Sequence, residues 1–249
     1  MNQDLAWTVR RLLQRVGIDV ASYKATRHPL ARRHFLFERH GIDCVVDVGA
    51  NSGQYGHFLR RIGYRGRIVS FEPLSTAFAS LRAAAAGDGH WEVRNAALGE
   101  AEGSVTLNVS ENSESSSILA MLPGHLSAHP TSRYVGTETV AVTTLASVLG
   151  GLAPSRGTFV KVDTQGYERN VILGAGTALE RVAGVQLEMS LVPLYADEWL
   201  MPEMINFMKE RGFVLMSLEP GTSDPETGQL LQTDGLFFRE RYPRSVPAG

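Results

Sequence analysis

The stretch that decides the fold is VVDVGANSGQYGHFL, residues Val45 to Leu59. An apolar run ends at Asp47, a glycine-rich turn follows, and an amphipathic pattern begins near Gln54. Glycine lets the backbone come close to a ligand, and the first turn of a helix offers free N–H groups. The order of strand, glycine turn and helix therefore predicts a ligand-binding loop at the end of a buried strand.

The residues in this turn indicate the kind of ligand. Its pattern, D-x-G-x-N-x-G, differs from the G-x-G-x-x-G spacing that seats a dinucleotide pyrophosphate. An acidic residue at the strand end repels a phosphate and suits a ligand that carries an ammonium group. S-adenosylmethionine carries an ammonium and a carboxylate, which could use the acid and the loop amides together. The predicted donor-binding residues of the loop are Asp47, Gly49, Asn51, Gly53 and Tyr55.

Two later strand ends extend the predicted donor site. VSFEP places Glu72 at the carboxyl end of the next strand, where a carboxylate can accept both ribose hydroxyls. NAD sites use the same device, so Glu72 alone does not discriminate between the two ligands. RNAAL closes the third strand and predicts that Asn95 and the backbone of Ala96 border the adenine. The alternatives are an exposed glutamate at position 72 and a plain turn residue at position 95.

Strands and helices alternate along the chain from Asp43 onward. This alternation predicts a parallel sheet with helices on both faces. WEVRNAALG is interpreted as one strand, and Ser75 as the cap of a helix that ends at Gly87. The segment from Glu111 to Tyr134 has weak periodicity, and we expect it to form a lid or wall on the acceptor side of the site.

Composition limits the function classes. The chain has 249 residues, of which 43% are hydrophobic and 20% charged, as in ordinary globular proteins. A net charge of -2 disfavours a nucleic-acid partner. The single cysteine, Cys44, lies in an apolar strand pattern and is expected to be a buried thiol. No transmembrane segment or signal-peptide core is predicted, so the cytoplasm is the expected location.

The N-terminal region is basic and helical. LAWTVRRLLQRVGI, residues 5–18, places apolar residues near one face and arginines elsewhere. Such a helix can lie on a membrane surface, but the preferred interpretation is packing on the following domain or on a second copy of the chain. We therefore expect a helical extension over residues 1–42, a main domain over residues 43–249, and a homodimer through the N-terminal helices.

Carboxylates are predicted at two more strand ends. FVKVDTQGYE places Asp163 at the tip of a central strand, and VQLEMS places Glu188 at the tip of its neighbour. Ligands of such sheets bind beyond the carboxyl ends of the strands. The two carboxylates could act as a base, orient an acceptor, or hold a magnesium ion as its metal ligands. The structural alternative is that Asp163 caps the next turn and Glu188 pairs with Lys161 or an arginine. Lys161 also alternates to the same face as Asp163, which allows an internal ion pair between these two.

Histidines and aromatic residues supply further candidates. His125 and His129 lie in PGHLSAHPTSRY, where a histidine could reach the site as a general base or remain solvated. Tyr195 and Trp199 could form a platform for a sugar face or pack a helix.

The motifs in order resemble a known family. VVDVGANSGQY, FEPL, NAALG, VKVDTQGYE and TDGLFFRER, spread from Cys44 to Arg241, resemble the FkbM-type S-adenosylmethionine-dependent methyltransferases. The resemblance implies the class I methyltransferase fold, a Rossmann-like α/β architecture with a seven-stranded, mostly parallel sheet whose last strand is antiparallel.

The resemblance also implies an activity. Members similar to this chain often methylate sugar hydroxyls in glycolipids, polysaccharides or antibiotics. We therefore expect an O-methyltransferase that uses S-adenosylmethionine and a small-molecule or oligosaccharide acceptor containing a sugar. The alternatives are a NAD-dependent sugar-modifying enzyme, a non-catalytic binding module, and a methyltransferase with a lipid or peptide acceptor.

Overall fold

The structure is a computed structural model that describes residues 3–152 and 156–239, with side chains from residue 7 onward. The chain divides into two compact units, Met1–Arg39 and His40–Gly249. The first unit holds helix α1, Gln3–Gln14, and helix α2, Pro29–Arg39. The sequence-based boundary between residues 42 and 43 stays a prediction, and the last residues assigned to the main domain and to the final motif, from position 240 onward, lie outside the described residues.

The second unit alternates strands and helices. Its strands are β1 Cys44–Val48, β2 Arg67–Phe71, β3 Trp91–Arg94, β4 Ala97–Gly99, β5 Gly103–Ser110, β6 Tyr134–Thr144, β7 Thr158–Val162, β8 Val182–Ser190, β9 Phe213–Pro220 and β10 Gln232–Arg239. Its helices are α3 Gln54–Arg61, α4 Ser75–Ala85, α5 Pro123–Ala128, α6 Leu145–Gly151, α7 Glu168–Leu173 and α8 Met201–Glu210, with 3-10 turns at Pro130–Ser132 and Gly176–Arg181.

Seven strands form the main sheet in the order β3-β2-β1-β7-β8-β10-β9. All run parallel except β10, which is antiparallel to both of its neighbours. The predicted fold class, a class I methyltransferase sheet with an antiparallel last strand, is confirmed. Because parallel strands end at one edge, the ends of β1, β2, β7 and β8 meet there.

The central strands are buried along their whole length. Every residue of β1 and β7 is buried, as expected for strands in the middle of a parallel sheet. Cys44 is 3% exposed, so the predicted buried thiol is confirmed. Within the described part of the chain, no helix combines the length and apolar character needed to cross a membrane.

A small second sheet, in the order β4-β6-β5, was not expected from the sequence. The interpretation of WEVRNAALG as one strand is wrong, because the chain leaves the main sheet at Asn95 and β4 pairs with β6 instead. The interpretation of Ser75 as a helix cap is also wrong. Ser75 is the first residue of α4, and its backbone N–H and hydroxyl both bond the carboxylate of Glu138 on β6.

Candidate active site

The carboxyl edge of the main sheet opens into a cavity of about 550 Å³. Of the site residues predicted from the sequence, those lining it are Gly49, Asn51, Tyr55, Glu72, Ala96, His125, Asp163 and Glu188. Asp47, Gly53 and Asn95 do not line it. The fold therefore brings most of the predicted donor and acceptor residues to one cavity.

Gly49 lets the ends of β1 and β7 approach each other. Its φ is +75°, and a Cβ atom there would overlap the backbone carbonyl oxygen of Asp163. The sequence-based reason for this glycine was space for the amino-acid end of the donor. The structure gives a different reason, which is contact between two strand ends that both line the cavity.

Glu72 holds the donor loop in place. Its carboxylate accepts hydrogen bonds from the backbone N–H groups of Asn51 and Leu74, both at 2.8 Å. The side chain is almost fully buried, and burial raises its pKa to about 7, against the opposing effect of these two bonds. Such a carboxylate is poised to gain from a ligand that offers hydroxyl donors.

Asn95 contributes by fixing the turn after β2. Its amide nitrogen donates to the carbonyl oxygens of Glu72 and Pro73, at 2.8 and 2.9 Å. The side chain is thereby committed to the backbone, while the neighbouring Ala96 lines the cavity. The predicted contact of Asn95 with the adenine stays a prediction, and the structure adds an indirect role, in which Asn95 fixes the backbone that carries Glu72.

Asp47 lies beneath the donor loop in a polar row that crosses the sheet. The strand register places it between Ser70 on β2 and Lys161 on β7. The Ser70 hydroxyl donates to Asp47 at 2.9 Å, and the Lys161 ammonium lies 3.6 Å from its other oxygen. Because Asp47 is fully buried, the structure does not support its predicted direct contact with the donor ammonium.

Lys161 links the buried Asp47 to Asp163 at the cavity. Its Nζ lies 3.1 Å from Asp163 Oδ2 and donates to the carbonyl oxygen of Gly49 at 3.4 Å. Burial alone would lower the Lys161 pKa, but the charges of Asp163 and Asp47 outweigh it and the pKa is raised. Lys161 thus stays protonated and forms the internal ion pair with Asp163 that their shared strand face allowed, and it does not pair with Glu188.

Asp163 and Glu188 share a single amide. Gln165 donates from Nε2 to Asp163 Oδ1 at 2.9 Å and to Glu188 Oε2 at 2.7 Å. Its Oε1 accepts the Tyr195 hydroxyl at 2.8 Å, and Gln232 donates to the same Glu188 oxygen at 2.8 Å. Sequence reasoning placed both carboxylates here but missed Gln165 and Gln232. It offered Tyr195 as a sugar platform, whereas Tyr195 is buried and supports Gln165.

The environment of Glu188 favours its neutral form. Burial is the largest effect, and the charges of Asp163, Glu168 and Asp234 add to it, so the pKa lies well above that of an ordinary glutamate. Only the ionised form can accept a proton, and a carboxylate with a raised pKa is in that form a stronger base than an ordinary glutamate.

The two histidines lie at the far wall of the same cavity. His125 Nε2 is 3.2 Å from the hydroxyl of Ser132, while its Nδ1 is buried without a hydrogen-bond partner. Burial and the neighbouring His129 lower the His125 pKa to about 4, so the imidazole is neutral at pH 7. A base this weak is a poorer candidate for proton removal than Glu188.

The wall segment, residues 111–134, is tied to the donor loop. Asn51 donates from Nδ2 to the hydroxyl of Ser113 at 3.1 Å, and Gln54 donates to Glu114 at 2.9 Å. Residues of this segment line the cavity opposite the sheet edge. The segment thus forms a wall that contacts the predicted donor site directly.

Charge in the cavity favours a cationic ligand. Five carboxylate side chains and one lysine are among its described lining residues; the acids are Glu72, Glu114, Asp163, Glu188 and Asp234. The acids outnumber the lysine even without Glu72 and Glu188, whose raised pKa values favour their neutral forms. This excess of acidic groups suits a sulfonium donor and opposes a dinucleotide pyrophosphate. Among the described residues, no group of three or more histidine, cysteine, aspartate or glutamate side chains is arranged to hold a metal ion, so magnesium binding by Asp163 and Glu188 has no support.

A family comparison agrees with this geometry. The model of the methyltransferase FkbM domain matches residues 47–215, a range that contains the donor loop, Glu72, Asp163 and Glu188. The chain belongs to the FkbM methyltransferase family. Family membership makes this FkbM protein an S-adenosylmethionine-dependent methyltransferase, and the acid-rich cavity fits that donor. No curated protein sequence matches the chain.

Solved methyltransferase structures are similar to this FkbM protein at low identity. The magnesium protoporphyrin IX methyltransferase of Synechocystis PCC 6803, solved with bound S-adenosylmethionine, is 9% identical, with 83% of this chain and 76% of that chain covered and a TM-score of 0.46. An rRNA methylase of Streptococcus thermophilus is 12% identical, with 88% of this chain and 99% of that chain covered and a TM-score of 0.46.

Proposed function

We propose that this FkbM protein transfers the methyl group of S-adenosylmethionine to a hydroxyl of a carbohydrate-containing acceptor. The observation that carries the proposal is Glu188, a partly buried carboxylate with a raised pKa that two glutamines hold at the cavity wall. An alcohol needs help to lose its proton, and a carboxylate of this kind supplies it.

Each part of the site has a role in this reaction. The donor supplies an electrophilic methyl group when bound. Glu72 accepts the ribose hydroxyls, and the loop residues Gly49, Ala50 and Asn51 line the cavity beside it. The pair of Lys161 and Asp163 fixes the β7 end of the site. Glu188 accepts the acceptor proton through Oε1, because both glutamine amides donate to Oε2.

The rest of the cavity supports a polyol acceptor. Partly exposed polar groups line it beyond the donor loop, and they include Ser113, Ser116, Thr131 and Asp234. Side chains of this kind exchange hydrogen bonds with several hydroxyls at once, whereas an extended lipid would need an apolar channel.

The proposal is tested with the purified protein and a donor labelled in its methyl group. Monosaccharides, oligosaccharides and glycolipid headgroups form one acceptor set, with peptide, simple lipid and RNA as comparison sets. We expect transfer only to the sugar set, an O-methyl signal in the product, and loss of transfer in Glu188→Gln. Transfer to peptide, lipid or RNA alone would overturn the proposal of a sugar acceptor. Calorimetry that detects binding of NAD but no binding of S-adenosylmethionine would overturn the assignment of the donor.

A further inference from the structure

Helix α1 exposes a row of apolar side chains. Val9, Leu12 and Val16 follow each other at helical spacing and are 46%, 56% and 70% exposed. Val16 lies just after the last residue of α1, in a turn that is closed by a hydrogen bond from its N–H to the Leu13 carbonyl. These side chains therefore form a continuous apolar face, because residues three and four apart lie on one side of a helix.

The apolar exposure continues beyond the helix. Ile18, Val20 and Tyr23 are 52%, 47% and 65% exposed. Among the described side chains, eight exposed large apolar residues lie before residue 40 and five after it, although the second unit is several times longer. Single exposed apolar residues need no explanation, but a concentration of this kind marks an interaction surface.

The charge of the N-terminal unit indicates which kind of partner its apolar face would bind. Residues 1–39 contain eight lysines and arginines against three acidic residues, whereas the whole chain has a net charge of -2. On a helical projection, Arg11 and Arg15 lie on one side of the apolar row, and Arg10, which forms an ion pair with Asp19, lies on the other. Cations beside an apolar face are the arrangement of a helix that lies in the interface of an anionic bilayer, with its apolar side in the acyl region.

We propose that the N-terminal unit binds the surface of an anionic lipid bilayer through the apolar face of α1. A second copy of this unit, the partner first expected from the sequence, is the poorer occupant because both copies would carry a large positive charge. The inference concerns binding alone and needs neither donor nor acceptor, so it stands or falls separately from the proposed activity.

Flotation of the full chain with vesicles tests this proposal. Vesicles of phosphatidylcholine alone are compared with vesicles in which about a third of the lipid is phosphatidylglycerol. We expect binding to the anionic vesicles, at least tenfold weaker binding to neutral ones, and strong weakening at high salt, because surface attraction is screened there.

Variants separate the two contributions. Leu12→Glu with Val16→Glu should abolish binding by removing the apolar face, and Arg11→Gln with Arg15→Gln should weaken it about 10- to 30-fold at low salt. The matched control is Val135→Glu, a 60% exposed apolar residue on β6 of the second unit, which should bind like the unchanged protein. Calorimetric donor affinity, unchanged in every variant, shows that the fold is intact.

Two results would overturn the proposal. One is equal binding of the unchanged protein and Leu12→Glu/Val16→Glu to anionic vesicles. The other is no vesicle binding together with a dimer, seen by sedimentation velocity, that Leu12→Glu/Val16→Glu converts to a monomer. The second result would assign the apolar face to a second copy of the chain.

Discussion

Lowering the pH from 8 to 6 is expected to weaken donor binding about tenfold through the protonation of Glu72. This carboxylate is buried, and burial raises its pKa to about 7 in the donor-free protein. Only the charged form accepts both ribose hydroxyls well, so affinity should fall as the pH drops through 7. A glutamate with an ordinary pKa would still be charged at pH 6 and would give no change.

The structure also sets the size of the effect of a substitution. Glu72→Gln preserves size but places an NH₂ group against one of the two backbone N–H donors, at Asn51 or Leu74. Loss of a charged acceptor for the ribose is expected to cost about 1–3 kcal/mol, or about 5- to 150-fold in Kd at pH 8. The pH dependence should disappear in the same variant, because position 72 no longer titrates.

The pH dependence of the unfolding free energy gives an independent readout. The contribution of Glu72 to stability should fall as the pH rises, whereas donor affinity should increase. Because the folded protein favours protonated Glu72, the stability from this group is full below pH 4.5 and is lost as the pH rises through about 7. A pKa displaced from 4.5 to about 7 corresponds to about 3 kcal/mol of unfolding free energy in the donor-free protein.

Isothermal titration with S-adenosylmethionine between pH 6 and 8 measures the effect on binding. The matched control is Glu92→Gln, since Glu92 lies on β3 outside the cavity, and its bonds to Arg67 and Arg94 lower its pKa. It should keep the pH dependence of the unchanged protein. A flat affinity across this range, together with unchanged binding by Glu72→Gln at pH 7.5, would refute the assignment of Glu72 to the ribose.

Three further outcomes are expected. Gly49→Ala should lower Tm by several degrees more than Gly87→Ala in thermal melts, because both glycines have positive φ but only Gly49 would also collide with a neighbouring backbone. Glu188→Gln should reduce kcat about 10²- to 10⁴-fold with donor Kd unchanged. A fall of this size in Asp163→Asn but not in Glu188→Gln would instead identify Asp163 as the base. Replacing residues 123–132 with a short glycine linker should raise acceptor KM while calorimetric donor affinity persists, and equal loss of both would indicate a purely structural segment.

The main sheet could be predicted because its signals are local. Short buried apolar runs and the helices between them dictate parallel strands, and parallel strands bring their ends to one edge. Glu72, Asp163 and Glu188 could therefore be assigned to one site from their positions at strand ends alone. The structure places all three in the lining of one cavity.

The second sheet could not be predicted in the same way. WEVRNAALG has no residue that forbids a continuous strand. The break at Asn95 depends on hydrogen bonds to the backbone at Glu72 and Pro73, which are more than twenty positions away in the chain. Local pattern carries no information about such a contact. The prediction of a single strand therefore failed because the hydrogen-bond partners are far apart in the sequence.

The contacts that Gln165 makes with Asp163, Glu188 and Tyr195 could not be predicted from local pattern either, although the chemistry of glutamine explains the choice of residue. A glutamine there has two N–H donors and one carbonyl acceptor, and all three are used: the donors on Asp163 and Glu188, the acceptor on the Tyr195 hydroxyl. A glutamate at this position would bring a third carboxylate against two others and lose both donors. The amide instead joins the carboxylates without neutralising them, and it fixes Glu188 through Oε2 alone. The other oxygen of Glu188 is then the one that an acceptor hydroxyl can reach, so the orientation of the proposed base follows from a residue that no strand-end pattern would select.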